Sequence, residues 1–186
     1  MAPPTAVVAL VIGFALVRLP ETLLLLRLQD LGIPLAVVPV LWAMLHAVRT
    51  TASYPGGWMS DRAGPMRTMV LGWVVYVVVI AGMAAATSRT ACALWFLGFG
   101  LVAAATESPE RALIAAWSGR RSRGRGFGVY HAGVGMAALP GGLALGALYE
   151  WAGGPLAFGV SAGAVALLAV LGTLVGRGTP GRIGHA

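Results

Sequence analysis

The sequence predicts an all-α polytopic membrane protein with six transmembrane helices. Three observations carry that expectation: composition, the length of the apolar runs, and where the charges interrupt them. Of 186 residues, 58% are hydrophobic and only 10% charged, and the mean hydropathy is +0.83. An ordinary soluble domain is about 25% charged. A single soluble core of this size has no room for so much apolar surface. A helix crossing the hydrocarbon layer needs about 20 apolar residues. Runs of that length fall at roughly 6–28, 35–56, 66–87, 91–116, 126–149 and 155–176, together one six-helix domain over 1–186.

The breaks between the runs carry turn chemistry. Leu31-Gly32-Ile33-Pro34 closes the first span, and a charged stretch around Asp61 closes the second. Thr87-Ser88-Arg89-Thr90, the stretch from Ser118 to Arg125, and Ala152-Gly153-Gly154-Pro155 supply the remaining three. Glycine and proline mark such breaks because they tolerate or impose backbone angles that a helix interior does not. Six spans leave both ends of the chain on one side.

Arginine bias selects the side, since cytoplasmic connections carry the excess of basic residues. Arg62, Arg67, Arg120, Arg121, Arg123, Arg125, Arg177 and Arg182 fall in the second and fourth connections and the C-terminal tail. Arg27 and Arg89 fall on the opposite side. The expected arrangement is a multi-pass protein of the cell membrane with both termini cytoplasmic. The start, Met1-Ala2-Pro3-Pro4, has no basic n-region, so no signal peptide is expected.

The net charge of +7 does not point to nucleic acid. The arginines sit at the ends of apolar runs without the aromatic interleaving of a nucleic-acid groove. Cys92 is the only cysteine, which rules out an intrachain disulfide. No His, Asp or Glu set has metal-ligand spacing. No nucleophile–base set stands out, and Gly124-x-Gly126-x-Gly128 follows no strand, as a dinucleotide fingerprint requires. No enzyme, cofactor or metal is expected. The six tryptophans mostly fall near interfaces, where they anchor spans in the headgroup layer.

Ionisable groups inside the spans are the functional candidates, because each is costly in hydrocarbon. At about 1.5 Å per helical residue counted from the cytoplasmic ends, Arg18 lies roughly 18 Å deep and Glu21 a little deeper. His46 lies at about 15 Å, Arg49 at about 10 Å, Glu107 at about 13 Å and Glu110 at about 9 Å. Arg18 with Glu21, three apart, and Glu107 with Arg111, four apart, share helix faces. Pro109 is expected to kink the fourth span and free a carbonyl.

Two roles compete for these residues. In one they are neutralising ion pairs that fix helix packing. In the other Glu107 or Glu110 takes up and releases a proton, and Arg18 and His46 line a solute path. His131 reads as a packed or hydrogen-bonded residue. The fifth span is rich in glycine, from Gly126 to Gly146. Small residues there either let helices pack closely or allow the helix to bend during transport.

The segment Gly57-Trp58-Met59-Ser60-Asp61-Arg62-Ala63-Gly64-Pro65-Met66-Arg67 is read as a tight charged hairpin between spans. Its pattern, Gly-x-x-x-Asp-Arg-x-Gly-x-x-Arg, resembles the cytoplasmic loop motif of the major facilitator superfamily of secondary transporters. The resemblance extends over the whole chain through six spans, inside termini and a basic fourth connection. It implies that Gly57, Asp61, Arg62, Gly64 and Arg67 form a gating loop. Met59, Pro65 and Met66 depart from the family pattern. Family members normally have two six-helix halves with the substrate between them, and this chain supplies one. Arg18-Leu19-Pro20-Glu21 and Glu107-Ser108-Pro109-Glu110-Arg111 resemble the C-terminal half of efflux-like members, and Pro3-Pro4 fits the remains of a central linker.

The implied function is proton-coupled movement or efflux of a small solute by alternating access. The implied partners are the lipid bilayer, the solute, and either a second six-helix half or a second copy of the chain. The alternative is a non-transporting remnant or assembly partner.

Overall fold

In a computed structural model the described residues are 4–117 and 119–177. The side chains of residues 119–123 and of Pro4, Trp117 and Arg177 are not described, so Arg120, Arg121, Arg123 and Arg177 are placed by backbone position alone; Arg182 lies outside the described residues. Seven α-helices follow in order: α1 (Pro4–Val17), α2 (Glu21–Asp30), α3 (Val38–Ala63), α4 (Pro65–Ala85), α5 (Arg89–Trp117), α6 (Gly119–Ala152) and α7 (Gly154–Arg177). A short 3-10 turn, Leu35–Val37, precedes α3. Among the described residues there is no strand. Taken with α1 and α2 as one unit, six spans are long and apolar enough to cross a membrane: Thr5–Asp30, Leu35–Ala63, Pro65–Ala85, Arg89–Ala116, Gly124–Ala152 and Gly154–Gly176.

The first span is not one helix. Pro20 has no N–H and clashes with the preceding turn, and the chain leaves helical geometry over Arg18–Pro20 before α2 begins. Apolarity alone conceals this, because hydropathy is blind to backbone angles. The second span differs in the opposite way. The segment expected as a hairpin is helical as far as Ala63, and the break is confined to Gly64 at φ 90°. The Gly64 N–H bonds the Ser60 carbonyl at 3.0 Å, and Pro65 opens α4 at its first position. That order, glycine just past one helix and proline starting the next, matches what each residue does to the backbone. Charges mark where lipid ends, not where a helix must end. In the same way α6 begins at Gly119, inside the stretch expected as a connection; Ser118 lies outside the described residues.

The central element is α4, packed between α5 and α7. Trp73, Tyr76, Ile80 and Met83 on α4 are fully buried, with Phe96 of α5 and Phe158 of α7. Phe14 of α1 sits against both Trp73 and Tyr76, with ring centroids 5.6 Å apart in each case. On one flank α3 packs against α5; on the other α1 packs against α6 and α7. Glycines permit the closest approaches. A Cβ on Gly56 would stand 2.3 Å from the Ala104 carbonyl oxygen, and one on Gly141 only 1.8 Å from that of Leu16. In lipid, where hydrophobicity does not drive helices together, such backbone proximity is what van der Waals packing requires. Gly128, Gly135 and Gly146 on α6 meet nothing within 4 Å, so only part of that glycine-rich face is used for packing.

The two outlying arginines hold helix ends. Arg27, 8% exposed, donates to the Met83, Ala84 and Ala86 carbonyls at 3.4, 3.4 and 3.1 Å. Met83 and Ala84 lie in the last turn of α4, whose carbonyls have no intrahelical donors, and Ala86 is the extended residue that follows it. Arg89 donates to the Leu31 carbonyl just past α2 at 3.2 Å. At the same end of the bundle the Tyr149 hydroxyl donates to Asp30, tying α6 to α2.

Candidate functional site

Charged residues from α2, α3 and α5 meet although they are far apart in sequence, Arg49 and Glu107 by 58 positions. Arg49 on α3 donates to Glu107 on α5 and lies 3.6 Å from Glu21 at the start of α2. Arg111, one turn beyond Glu107, lies 3.7 Å from its other carboxylate oxygen. The order Glu21, Arg49, Glu107, Arg111 alternates in sign, so each inner member is held by opposite charges on both sides. Glu21, Arg49 and Glu107 are each about one-third exposed, whereas Arg111 is 70% exposed. At about 1.5 Å per residue, Arg49 lies roughly 16 Å from one end of α3 and 21 Å from the other. That is deeper than the sequence count placed it, since α3 runs on to Ala63.

A cavity of about 430 Å³ opens beside this array. Its polar lining is Arg18, Glu107, Glu110, Arg111, Tyr130 and His131, and Phe14, Leu19 and Pro20 are among its apolar residues. The Tyr130 hydroxyl on α6 donates to Glu110 at 2.7 Å. Arg18 lies 5.8 Å from the centroid of the Phe14 ring and projects from the break between α1 and α2. The expected Arg18–Glu21 face does not form, because the three-residue spacing brings side chains together only on a continuous helix. Glu21 faces Arg49 instead, which leaves Arg18 to the cavity.

The remaining candidates fall elsewhere. His46 is exposed on α3, where it accepts the Trp42 indole N–H and stacks on that ring at 6.1 Å between centroids. It is not among the residues lining the cavity. His131 is exposed beside Tyr130 and Phe127 and does line it. Asp61, Arg62 and Arg67 are exposed around the α3–α4 turn, and the Arg62 guanidinium lies 4.2 Å over the Trp58 ring. Gly57 faces the Ser108 hydroxyl on α5, 3.8 Å from where a Cβ would stand. Sequence reasoning gave no role to Tyr130 or Phe14. The available signal was that a tyrosine within an apolar span needs a partner for its hydroxyl.

Among the described residues no group of His, Cys, Asp and Glu is placed to hold a metal ion. The chemistry available is that of charge pairing, with the Glu107 carboxylate between the Arg49 and Arg111 guanidinium groups.

A family model described as Major Facilitator Superfamily matches residues 5–185. The chain belongs to the major facilitator superfamily. An uncharacterized MFS-type transporter of Methanocaldococcus jannaschii is 27% identical over 115 residues, 61% of this chain. The matched stretch covers 29% of that relative, so the chain corresponds to less than two thirds of its length. Major-facilitator proteins built from paired six-helix halves place their substrate sites between the halves, near the midplane. The six spans here make one such half in size.

Proposed function

We propose that the chain is the membrane domain of a secondary transporter that moves a small solute by alternating access, coupled to protons. The observation that carries this reading is the alternating array Glu21–Arg49–Glu107–Arg111, whose Glu107 and Arg111 line a cavity in a major-facilitator bundle. Protonation of Glu107 removes the negative charge that joins α3 to α5 and frees Arg49 toward Glu21. A local electrostatic change of this kind biases a two-state element when both states have stable packings. Glu110, held by Tyr130, is the second carboxylate facing the cavity, and Arg18 is the cation that meets a solute there.

The polar face cannot lie against lipid, because unpaired charge there is costly. It is covered by a second six-helix half or a second copy of the chain, the interface enclosing the solute path. By the arginine bias, the end of the bundle bearing Arg62, Arg67 and Arg125 faces the cytoplasm, the protein lies in the cell membrane, and the α3–α4 turn gates the inner opening.

Proteoliposomes holding a pH-sensitive dye test the reading. Addition of small organic ions from a panel is expected to move protons with the wild type and not with Glu107→Gln. Solute flux that ignores the pH gradient, or an unchanged proton signal in Glu107→Gln, overturns the coupling. A folded protein without flux of any solute favours the assembly-partner alternative.

A further inference from the structure

The break between α1 and α2 strands two backbone groups in the core, the Val17 carbonyl and the Leu19 N–H. Neither finds a partner within its own span, and each buried unpaired group costs free energy comparable to a lost hydrogen bond. Side chains from two other helices meet them. The Leu19 N–H donates to the Tyr76 hydroxyl of α4 at 2.8 Å. The Ser161 hydroxyl of α7 donates to the Val17 carbonyl at 2.6 Å. The two hydroxyls lie 2.6 Å apart. Each carries a single proton, and that of Ser161 is already given to Val17. The Tyr76 proton therefore goes to Ser161. The result is a closed one-way relay: Leu19 N–H to Tyr76, Tyr76 to Ser161, Ser161 to the Val17 carbonyl. Leu19, Tyr76 and Ser161 are all 0% exposed.

The opposite side of the break rests on α6. Gly141 approaches the Leu16 carbonyl, and a Cβ on Gly142 would stand 3.3 Å from Pro20. The remaining direction is that of Arg18, and it leads into the cavity. Pro20 makes the break, but a proline does not specify the angle at which the two segments resume.

We propose that the Tyr76–Ser161 hydroxyl relay sets the geometry of the α1–α2 break and thereby positions Arg18, one residue before Leu19, in the cavity. Tyr76 and Ser161 are positioning residues; neither lines the cavity. Only the consequence for solute handling rests on the transport reading, and the geometric claim is tested without it.

Residue-resolved hydrogen exchange on the protein in lipid nanodiscs reads the first part. In Tyr76→Phe the Leu19 amide is expected to exchange about tenfold faster or more, as for loss of a buried bond. Ser161→Ala is expected to act in the same direction and provides the test if Tyr76→Phe does not fold. Thr51→Val, which removes a hydroxyl bonded to its own helix, is expected to change nothing. Leu19 exchange at the wild-type rate in the folded variants overturns the relay.

The second part is read by a water-soluble maleimide on Ala15→Cys, a cavity-lining position. Cys92 is 0% exposed and gives a silent background. Either relay variant is expected to change the labelling rate about threefold or more, the scale of one hydrogen bond. Faster Leu19 exchange with unchanged labelling overturns the positioning claim. Failure of the transport reading would show instead as absent solute flux with both relay effects intact.

Discussion

Removing one member of the Arg49–Glu107 pair leaves charges that the fold does not otherwise cover. In Glu107→Gln, Arg49 retains only Glu21 at 3.6 Å, and Arg111 loses its carboxylate. In Arg49→Gln, Glu21 and Glu107 lose the guanidinium between them. A hydrogen bond to a charged group contributes about 1.5–3 kcal/mol when buried, whereas an exposed ion pair contributes about 0–1 kcal/mol. With both side chains about one-third exposed, a coupling of about 1–2 kcal/mol is expected between these limits. The assay is a double-mutant cycle on thermal unfolding in a mild detergent, followed by tryptophan fluorescence. Each single variant should melt lower, and the double variant should melt higher than the sum of the single losses implies. At about 2–4 °C per kcal/mol for a chain of this size, the shortfall is readable. Additivity within about 0.3–0.5 kcal/mol would refute the array as an interacting unit, and with it the idea that one proton at Glu107 is felt on α3.

Further substitutions test the packing that holds the site. Gly141→Ala puts a Cβ against the Leu16 backbone and should destabilise by about 1–3 kcal/mol as overpacking does; Gly135→Ala, which meets nothing within 4 Å, should stabilise by up to about 1 kcal/mol through helix propensity. Melting curves for the pair should move in opposite directions. Arg27→Met uncovers the carbonyls ending α4 and should cost about 1–3 kcal/mol, with amide exchange rising first in the last turn of that helix. Tyr149→Phe removes the link to Asp30 and should cost about 0.6 kcal/mol, typical of hydrogen bonds between membrane helices, a small drop in the same melting assay.

The six spans were legible because apolar length is a one-dimensional property. The family resemblance was legible because Asp61, Arg62, Gly64 and Arg67 stand at fixed spacing. The site was legible only as a set of residues. Glu107 and Arg111 share a helix, and their pairing followed from spacing; Arg49 and Glu107 are 58 positions apart, and no local pattern joins them. Arg18 and Glu21 misled for a related reason, since Pro20 stands between them and breaks the helix that would have placed them together. Tyr76 and Ser161 drew no notice in the sequence, because their role comes from two backbone groups at the break in another span. On α6 the glycines looked alike in sequence, and only the path of α1 separates Gly141, at van der Waals limit, from Gly135, with open space.

Water access to Ala138, near mid-length of α6 and on the cavity lining, tests the proposed transport path most directly. Ala138→Cys would be treated with a membrane-impermeant maleimide in sealed vesicles of each orientation. Alternating access predicts labelling from both sides, with saturation from one side leaving nothing for the other. Labelling from one side alone, or from neither, would contradict a path through this cavity.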